Sequence, residues 1–239
     1  MQLIDYLNIA EGSVVAVIGC GGKTSFIELL ADRLRDKKTL VSTTTKMFPM
    51  KIDGITSCET PEQCVGHEPH TGVQCFGVLN PASGKLEALP ADVLAGLVPR
   101  YDISLLEADG SRGLPCKGWL TEEPVVPDYC THTVGIVTMN ALGKQAAENV
   151  VHRLPEFLTL TGLSAGDTIT LQTLETMVCG PRGMFHSSAG RLLLLVNQVE
   201  DDTTAHTAIL FLQGIKEKYP NRYIKLLYGS VHLDSWQEV

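Results

Sequence analysis

Short unbroken runs of Val, Ile and Leu alternate along the chain with stretches whose apolar residues recur every three or four positions. The first texture predicts parallel strands buried on both faces, and the second predicts helices that bury one side. Ser13–Gly19 (SVVAVIG) is a run of the first kind, and Thr24–Arg35 follows it with Phe26, Leu29, Leu30 and Leu34 on one helical side. Residues 39–45 (TLVSTTT), 103–110 (ISLLEADG), 132–139 (HTVGIVTM) and 191–197 (RLLLLVN) predict further strands, and 222–229 (RYIKLLYG) closes the sheet. Helical spacing covers Glu148–Leu160, Leu171–Cys179 and a long stretch ending near Tyr219. Asp201 or Asp202 can cap that last helix, because a carboxylate there accepts free first-turn N–H groups. The order of textures predicts an α/β fold with a mainly parallel central sheet and helices on both faces.

Between about 51 and 100 prolines and glycines interrupt the pattern. Residues 73–90 (VQCFGVLNPASGKLEALP) read as two short strands around an Asn-Pro-Ala-Ser-Gly turn, and a short helix (ADVLAGLV) follows. The expectation is a single domain over 1–239 with a small β-containing insertion at about 51–100.

Composition narrows the class. The 239 residues are 44% hydrophobic and 19% charged, which excludes a disordered chain or a coiled coil. A net charge of −8, with Lys and Arg scattered, argues against nucleic-acid or anionic-membrane binding but permits a local cationic pocket. The first fifteen residues lack a signal-peptide pattern, and no apolar stretch reaches the ~20 residues of a membrane span. A cytoplasmic protein is expected. The seven cysteines are odd in number, irregularly spaced and without a C-x-x-C, so a disulfide framework is not expected. Cys58, Cys64, His67, His70 and Cys75 cluster within 18 residues, but without the short ligand pairs of a structural zinc site.

Candidate chemistry begins at Gly19-Cys20-Gly21-Gly22-Lys23-Thr24-Ser25. The phosphate-binding pattern G-x-x-x-x-G-K-[ST] would place its first glycine at position 17, where this chain has Val17. The compact form G-x-x-G-K-[ST] does fit Gly19–Thr24 and resembles the shortened loop of Mur ligases and folylpolyglutamate synthetases. Glycines let backbone N–H groups approach an anion, and the helix that follows adds its own N–H groups and dipole. Lys23 can reach outer phosphates and the Thr24 hydroxyl can ligate Mg²⁺. In STTTKMF (42–48), Thr44 and Lys46 are candidates for a substrate anion. In LLEADGSRGLPCKG (105–118), Glu107 and Asp109 share a face at the carboxyl end of a strand, where open α/β sheets bind ligands. Arg112 and Lys117 follow on a cationic loop. LLLLVNQVED (192–201) resembles the N-K-x-D motif of GTPases, with Gln198 in place of Lys and Glu200 or Asp201 in place of Asp. Asn197 is therefore a base-side or loop-bracing candidate and Glu200 a base-side candidate, with ATP against GTP left open.

Together these segments resemble the YqeC-type accessory proteins of selenium-dependent molybdenum hydroxylases. The resemblance rests on GCGGKTS, STTTKMF, EADGSRGLPCKG, EEPVVP (122–127) and LVNQVED, in that order. It departs from the family at Cys20, Cys116 and the Glu122-Glu123 pair. It implies a P-loop NTPase-like fold, a role in maturing labile selenium, and a client molybdenum hydroxylase as partner. A homodimer is an assembly that maturation NTPases often adopt. The chemistry of the residues themselves suggests hydrolysis of a nucleoside triphosphate or phosphoryl transfer from it, in which Lys23 would neutralise developing charge, Thr24 and Asp109 would hold Mg²⁺, and Glu107 would position a nucleophile. Arg112 and Lys117 would bind a second anion, such as a selenophosphate-like donor or a molybdopterin phosphate. Cys20, beside a helix N-terminus and Lys23, could have a lowered thiol pKa and carry a chalcogen with Cys116, although free Cys is commonly a small apolar residue. Three functions stay open here: a Mg²⁺-dependent NTP-hydrolysing maturation factor, an ATP-dependent small-molecule kinase or ligase, and a non-catalytic nucleotide-binding module.

Overall fold

The computed structural model describes residues 3–223 and 225–239. Its centre is a nine-stranded sheet built from β1 (Ser13–Gly19), β2 (Lys38–Thr43), β3 (Thr56–Cys58), β4 (Gly72–Phe76), β5 (Ile103–Glu107), β6 (His132–Thr138), β7 (Arg191–Asn197), β8 (Lys225–Ser230) and β9 (Ser235–Glu238). Their order across the sheet is β9-β8-β7-β6-β1-β5-β2-β4-β3. Every pairing is parallel except β8 with β9. This is the mainly parallel α/β sheet that the alternating texture predicts.

Among the described residues, seven α-helices flank it: α1 (Leu3–Leu7), α2 (Lys23–Arg33), α3 (Pro61–Gly66), α4 (Ala91–Leu97), α5 (Leu154–Thr161), α6 (Leu171–Cys179) and α7 (Asp202–Lys218). Two apolar cores lie on opposite sheet faces, and β1 serves both because its side chains alternate. Val14, Ala16 and Ile18 pack with Phe157 of α5, Met177 of α6 and Leu212 of α7. Val15 and Val17 pack with Phe26, Ile27 and Leu30 of α2 and Leu7 of α1. Within α2 the buried stripe takes Ile27 and Ala31 beside Phe26 and Leu30, while Leu29 is only partly buried.

Several expected boundaries move: the strands predicted over 39–45, 103–110 and 132–139 run Lys38–Thr43, Ile103–Glu107 and His132–Thr138. The helix anticipated from Glu148 begins only at Leu154. Arg153 sits in the left-handed region (φ 58°), and Pro155 suits a first helical turn, so the chain turns there instead of running through. Val151–His152 form a short parallel pair with Cys116–Lys117. The strand expected to close the sheet is itself covered by β9, whose Trp236 meets the Phe26 ring edge-on at 6.1 Å. In the segment from 51 to 100, β3 and β4 extend the main sheet, and a hairpin, Val78–Asn80 with Lys85–Glu87, pairs with Lys46–Met47. At the expected cap, the Asp201 carboxylate accepts the Thr204 N–H at 2.8 Å. Among the described residues, no helix is long and apolar enough to cross a membrane.

Candidate functional site

The site lies at the carboxyl ends of β1, β5 and β2. After β1 the backbone passes through Gly19 (φ 95°) and Gly22 (φ 109°), conformations that side-chain-bearing residues rarely adopt. A Cβ on Gly22 would come within 2.7 Å of Asn197 Nδ2, so the turn also needs the space. Gly22 precedes α2 with no side chain capping it. The first-turn N–H groups of Lys23, Thr24 and Ser25 have no earlier helical carbonyl to bond, and with the helix dipole they form a positive end facing the cavity.

Asn197, at the tip of β7, fixes this loop. Its amide donates to the Gly21 carbonyl at 2.7 Å, and its side-chain oxygen accepts the Val231 N–H at 2.9 Å. Lys23 is almost buried and donates to the Gly19 carbonyl at 2.8 Å, with Ser111 Oγ 3.5 Å away. Thr24 Oγ1 donates to Glu107 Oε2 at 2.8 Å. Burial pushes the Glu107 carboxyl above its ordinary pKa, and the nearby Lys23 charge pulls part of the way back.

Asp109 is placed otherwise than expected. It is fully buried, and both its oxygens are engaged: Lys117 forms an ion pair with one, while Trp119 Nε1 at 2.9 Å and the Gly19 N–H at 3.2 Å donate to the other. Lys117, expected to meet a substrate anion, is likewise fully buried; it also reaches Glu123 at 3.0 Å, which pairs with Arg153 at 2.6 Å. The buried carboxylate has drawn the nearest Lys inward, since an uncompensated charge there is costly. The alternation rule placed Glu107 and Asp109 on one face, but β5 ends at Glu107, and Asp109 turns under the loop.

Other candidates divide in the same way. Thr44 donates to the Val125 carbonyl at 2.6 Å, whereas its neighbour Thr45 lines the cavity. Lys46 and Arg112 line the cavity, Lys46 paired with Glu87 at 2.7 Å. Glu200 accepts from Ser230 at 2.8 Å beside a separate hollow of about 200 Å³, away from the main cavity. Cys20 is buried, and desolvation raises its thiol to about 12 despite Lys23, the reverse of the lowering anticipated from the helix end. Cys116 is raised for the same reason. Among the described residues, no three His, Cys, Asp or Glu side chains are arranged to hold a metal ion.

The cavity has a volume of about 850 Å³. Its cations are Lys23, Lys46, Lys85, Arg112 and Arg153, against the carboxylates of Glu107 and Glu123. In a chain of net charge −8 this is a concentrated positive patch. His152, on the same wall, is driven down to about 4 by burial and by Lys117, Arg112 and Arg153, so its ring is neutral near pH 7. Lys85, His152, Arg153 and Phe48 were not anticipated. Lys85 looks like the end of a surface turn, and Arg153 like a residue inside a helix; only the hairpin and the short Val151–His152 pairing bring them here.

A family model described as "YqeC protein" matches residues 15–155. This chain belongs to the YqeC family. The "Uncharacterized protein YqeC" of Escherichia coli (strain K12) is 32% identical over 183 residues, covering 72% of this chain and 70% of that protein. The YqeC match spans the glycine loop, Glu107, Asp109, Arg112 and Arg153, while Asn197 and Glu200 lie beyond it.

Proposed function

We propose that this YqeC-family protein binds a nucleoside triphosphate with Mg²⁺ at the Gly19–Ser25 loop and hydrolyses it or transfers its terminal phosphoryl group. One observation carries this: an uncapped α2 N-terminus opens onto the cationic cavity with the Thr24 hydroxyl already aligned on Glu107. Thr24 and Glu107 offer the hard oxygen donors that Mg²⁺ takes, and the engaged oxygens of Asp109 do not. When bound, the ion would offset charge on the transferring phosphoryl group. The loop N–H groups hold the phosphates, and Lys23 supplies the adjacent positive charge. Asp109 keeps the loop in shape through the Gly19 N–H. Membership of the family supports a selenium-related role, which we extend to maturation of a molybdenum hydroxylase client.

Calorimetric titration with ATP and GTP, each with and without Mg²⁺, tests the reading. Binding of either nucleotide, strengthened at least tenfold by Mg²⁺ and lost in Lys23→Ala, is the expected result; no binding of either at millimolar concentration overturns it. For the client arm, a molybdenum hydroxylase from cells lacking this protein should lose its labile selenium, and unchanged selenium content would remove that arm. A kinase or ligase is the second function favoured by a specific observation: the cavity runs well beyond the glycine loop, to Lys85 and Arg153.

A further inference from the structure

The cavity is lopsided in a way the sheet order makes plain. Asn197, which braces the glycine loop, stands on β7, two strands to one side of β1. The cavity opens on the other side, over β5 and β2, and no residue of the 197–202 segment lines it. Its far wall is built by elements outside the α2 N-terminus. The hairpin brings Lys85, whose ammonium lies 4.5 Å above the ring centroid of Phe48. Phe48 is 55% exposed and lines the cavity. The loop after β5 brings Arg112, which makes no hydrogen bond or ion pair among the described residues. Arg153 comes from the start of α5; one of its nitrogens holds Glu123, and its buried Nε has no partner.

Resting on the nucleotide reading for the near end, we propose that the far end of the cavity is a second anion subsite, in which Lys85, Arg112 and Arg153 take the phosphate of a small molecule whose flat or apolar body lies against Phe48. Three requirements point to that class. Unpaired or half-paired guanidinium groups at a cavity wall suit a multidentate oxyanion, because Arg presents several N–H donors in one plane. An exposed ring beside the cations suits a ligand with a face to stack as well as a charge to bind. A cavity of about 850 Å³ is near the upper end of the ~300–1,000 Å³ typical of ligand sites, which leaves volume beyond the loop. A ligand there would sit beside the Thr24–Glu107 edge, where a terminal phosphoryl group is presented, and so be placed as a phosphoryl acceptor or a co-substrate.

Pyridoxal 5′-phosphate is a suitable probe, since it joins a phosphate to a flat ring and carries an aldehyde that reports on nearby amines. The aldehyde condenses with a lysine amine with loss of water, and borohydride reduces the imine to a stable adduct that peptide mass spectrometry locates. Labelling is done on the full chain with and without Mg²⁺ and a non-hydrolysable ATP or GTP analogue, whichever binds by calorimetry. Lys85 should be labelled at least tenfold faster than exposed Lys51, and at least tenfold faster by pyridoxal 5′-phosphate than by pyridoxal. A saturating nucleotide analogue should protect Lys23 but leave Lys85 reactive. Arg112→Met, at an exposed and unpaired position, should slow Lys85 labelling at least fivefold while nucleotide affinity stays within threefold.

Protection of Lys85 by the nucleotide would mean that one ligand fills the whole cavity, and would overturn the proposal. Equal rates with pyridoxal and its phosphate would overturn it as well. If calorimetry detects no nucleotide while phosphate-dependent labelling of Lys85 persists, the nucleotide reading fails and the anion subsite stands.

Discussion

Replacing Lys117 by Met separates two roles for Asp109, metal ligand and loop support. In the native protein the Asp109 carboxylate has no exposure and is compensated by one cation, Lys117, with two neutral donors, Trp119 Nε1 and the Gly19 N–H. Lys117→Met removes the cation and leaves the carboxylate buried with the two N–H groups alone. Truncating one partner of a buried pair costs roughly 3–5 kcal/mol. At about 2–4 °C per kcal/mol for a chain of this size, the thermal midpoint should fall by about 6–20 °C. The double variant Asp109→Asn/Lys117→Met removes both charges, and its amide oxygen can still accept from Gly19 and Trp119. It should be within about 2 kcal/mol of the parent, because a neutral replacement of a buried pair is often near neutral. Urea unfolding of the four proteins of the cycle gives the coupling, and calorimetry on the double variant gives the Mg²⁺ dependence of nucleotide binding. A loss below 1 kcal/mol in Lys117→Met would refute the buried-pair argument. Loss of Mg²⁺ dependence in a folded double variant would return Asp109 to the metal.

The remaining expectations concern single side chains. Glu107→Gln keeps an acceptor for Thr24 and removes a charge that burial disfavours, so stability in urea should hold or rise while the Mg²⁺ strengthening of nucleotide binding disappears; retained strengthening would exclude Glu107 as the metal-side carboxylate. Because the folded carboxyl titrates above its usual range, the metal competes with a proton there, and Mg²⁺-dependent affinity should weaken as pH falls through that raised pKa in the parent but not in the Gln variant. His152 is neutral in the fold and depressed to about 4, so the unfolded chain binds its proton first, and its stabilising share is lost as pH falls from the ordinary value of 6.5 toward 4. Thermal midpoints at pH 7 and 5 should therefore drop less in His152→Gln than in the parent; equal drops would contradict the depressed pKa. Cys20, buried and raised to about 12, should resist iodoacetamide at pH 7.5 in the folded protein and react on unfolding, with fast alkylation of the native chain as the contrary result.

Local signals carried much of this fold. A strand buried on both faces is apolar through its middle, so Ser13–Gly19 and Arg191–Asn197 have the boundaries read from their Val, Ile and Leu runs. Leu171–Cys179 does too, because its apolar spacing follows a Thr170 cap. The glycine loop was legible for a similar reason: backbone that turns through φ near 100° with no room for a Cβ leaves a glycine signature in the chain itself. Signals failed where a partner distant in sequence decided the outcome. The four residues of β9 are too few to show a period, and they are held by pairing with β8 and by the burial of Trp236.

The sequence alone determined the α/β class, the glycine loop and the residue types around it, since propensity, periodicity and turn chemistry are properties of neighbours in the chain. Only the tertiary structure decided which charges face the cavity and which neutralise one another beneath it. Asp109 and Lys117 are eight positions apart and look as available as Glu107 and Arg112, yet the first two are sealed under the loop and the last two line the cavity. The reason is electrostatic: a carboxylate that burial removes from water must find a cation, and three-dimensional packing chooses which one it takes.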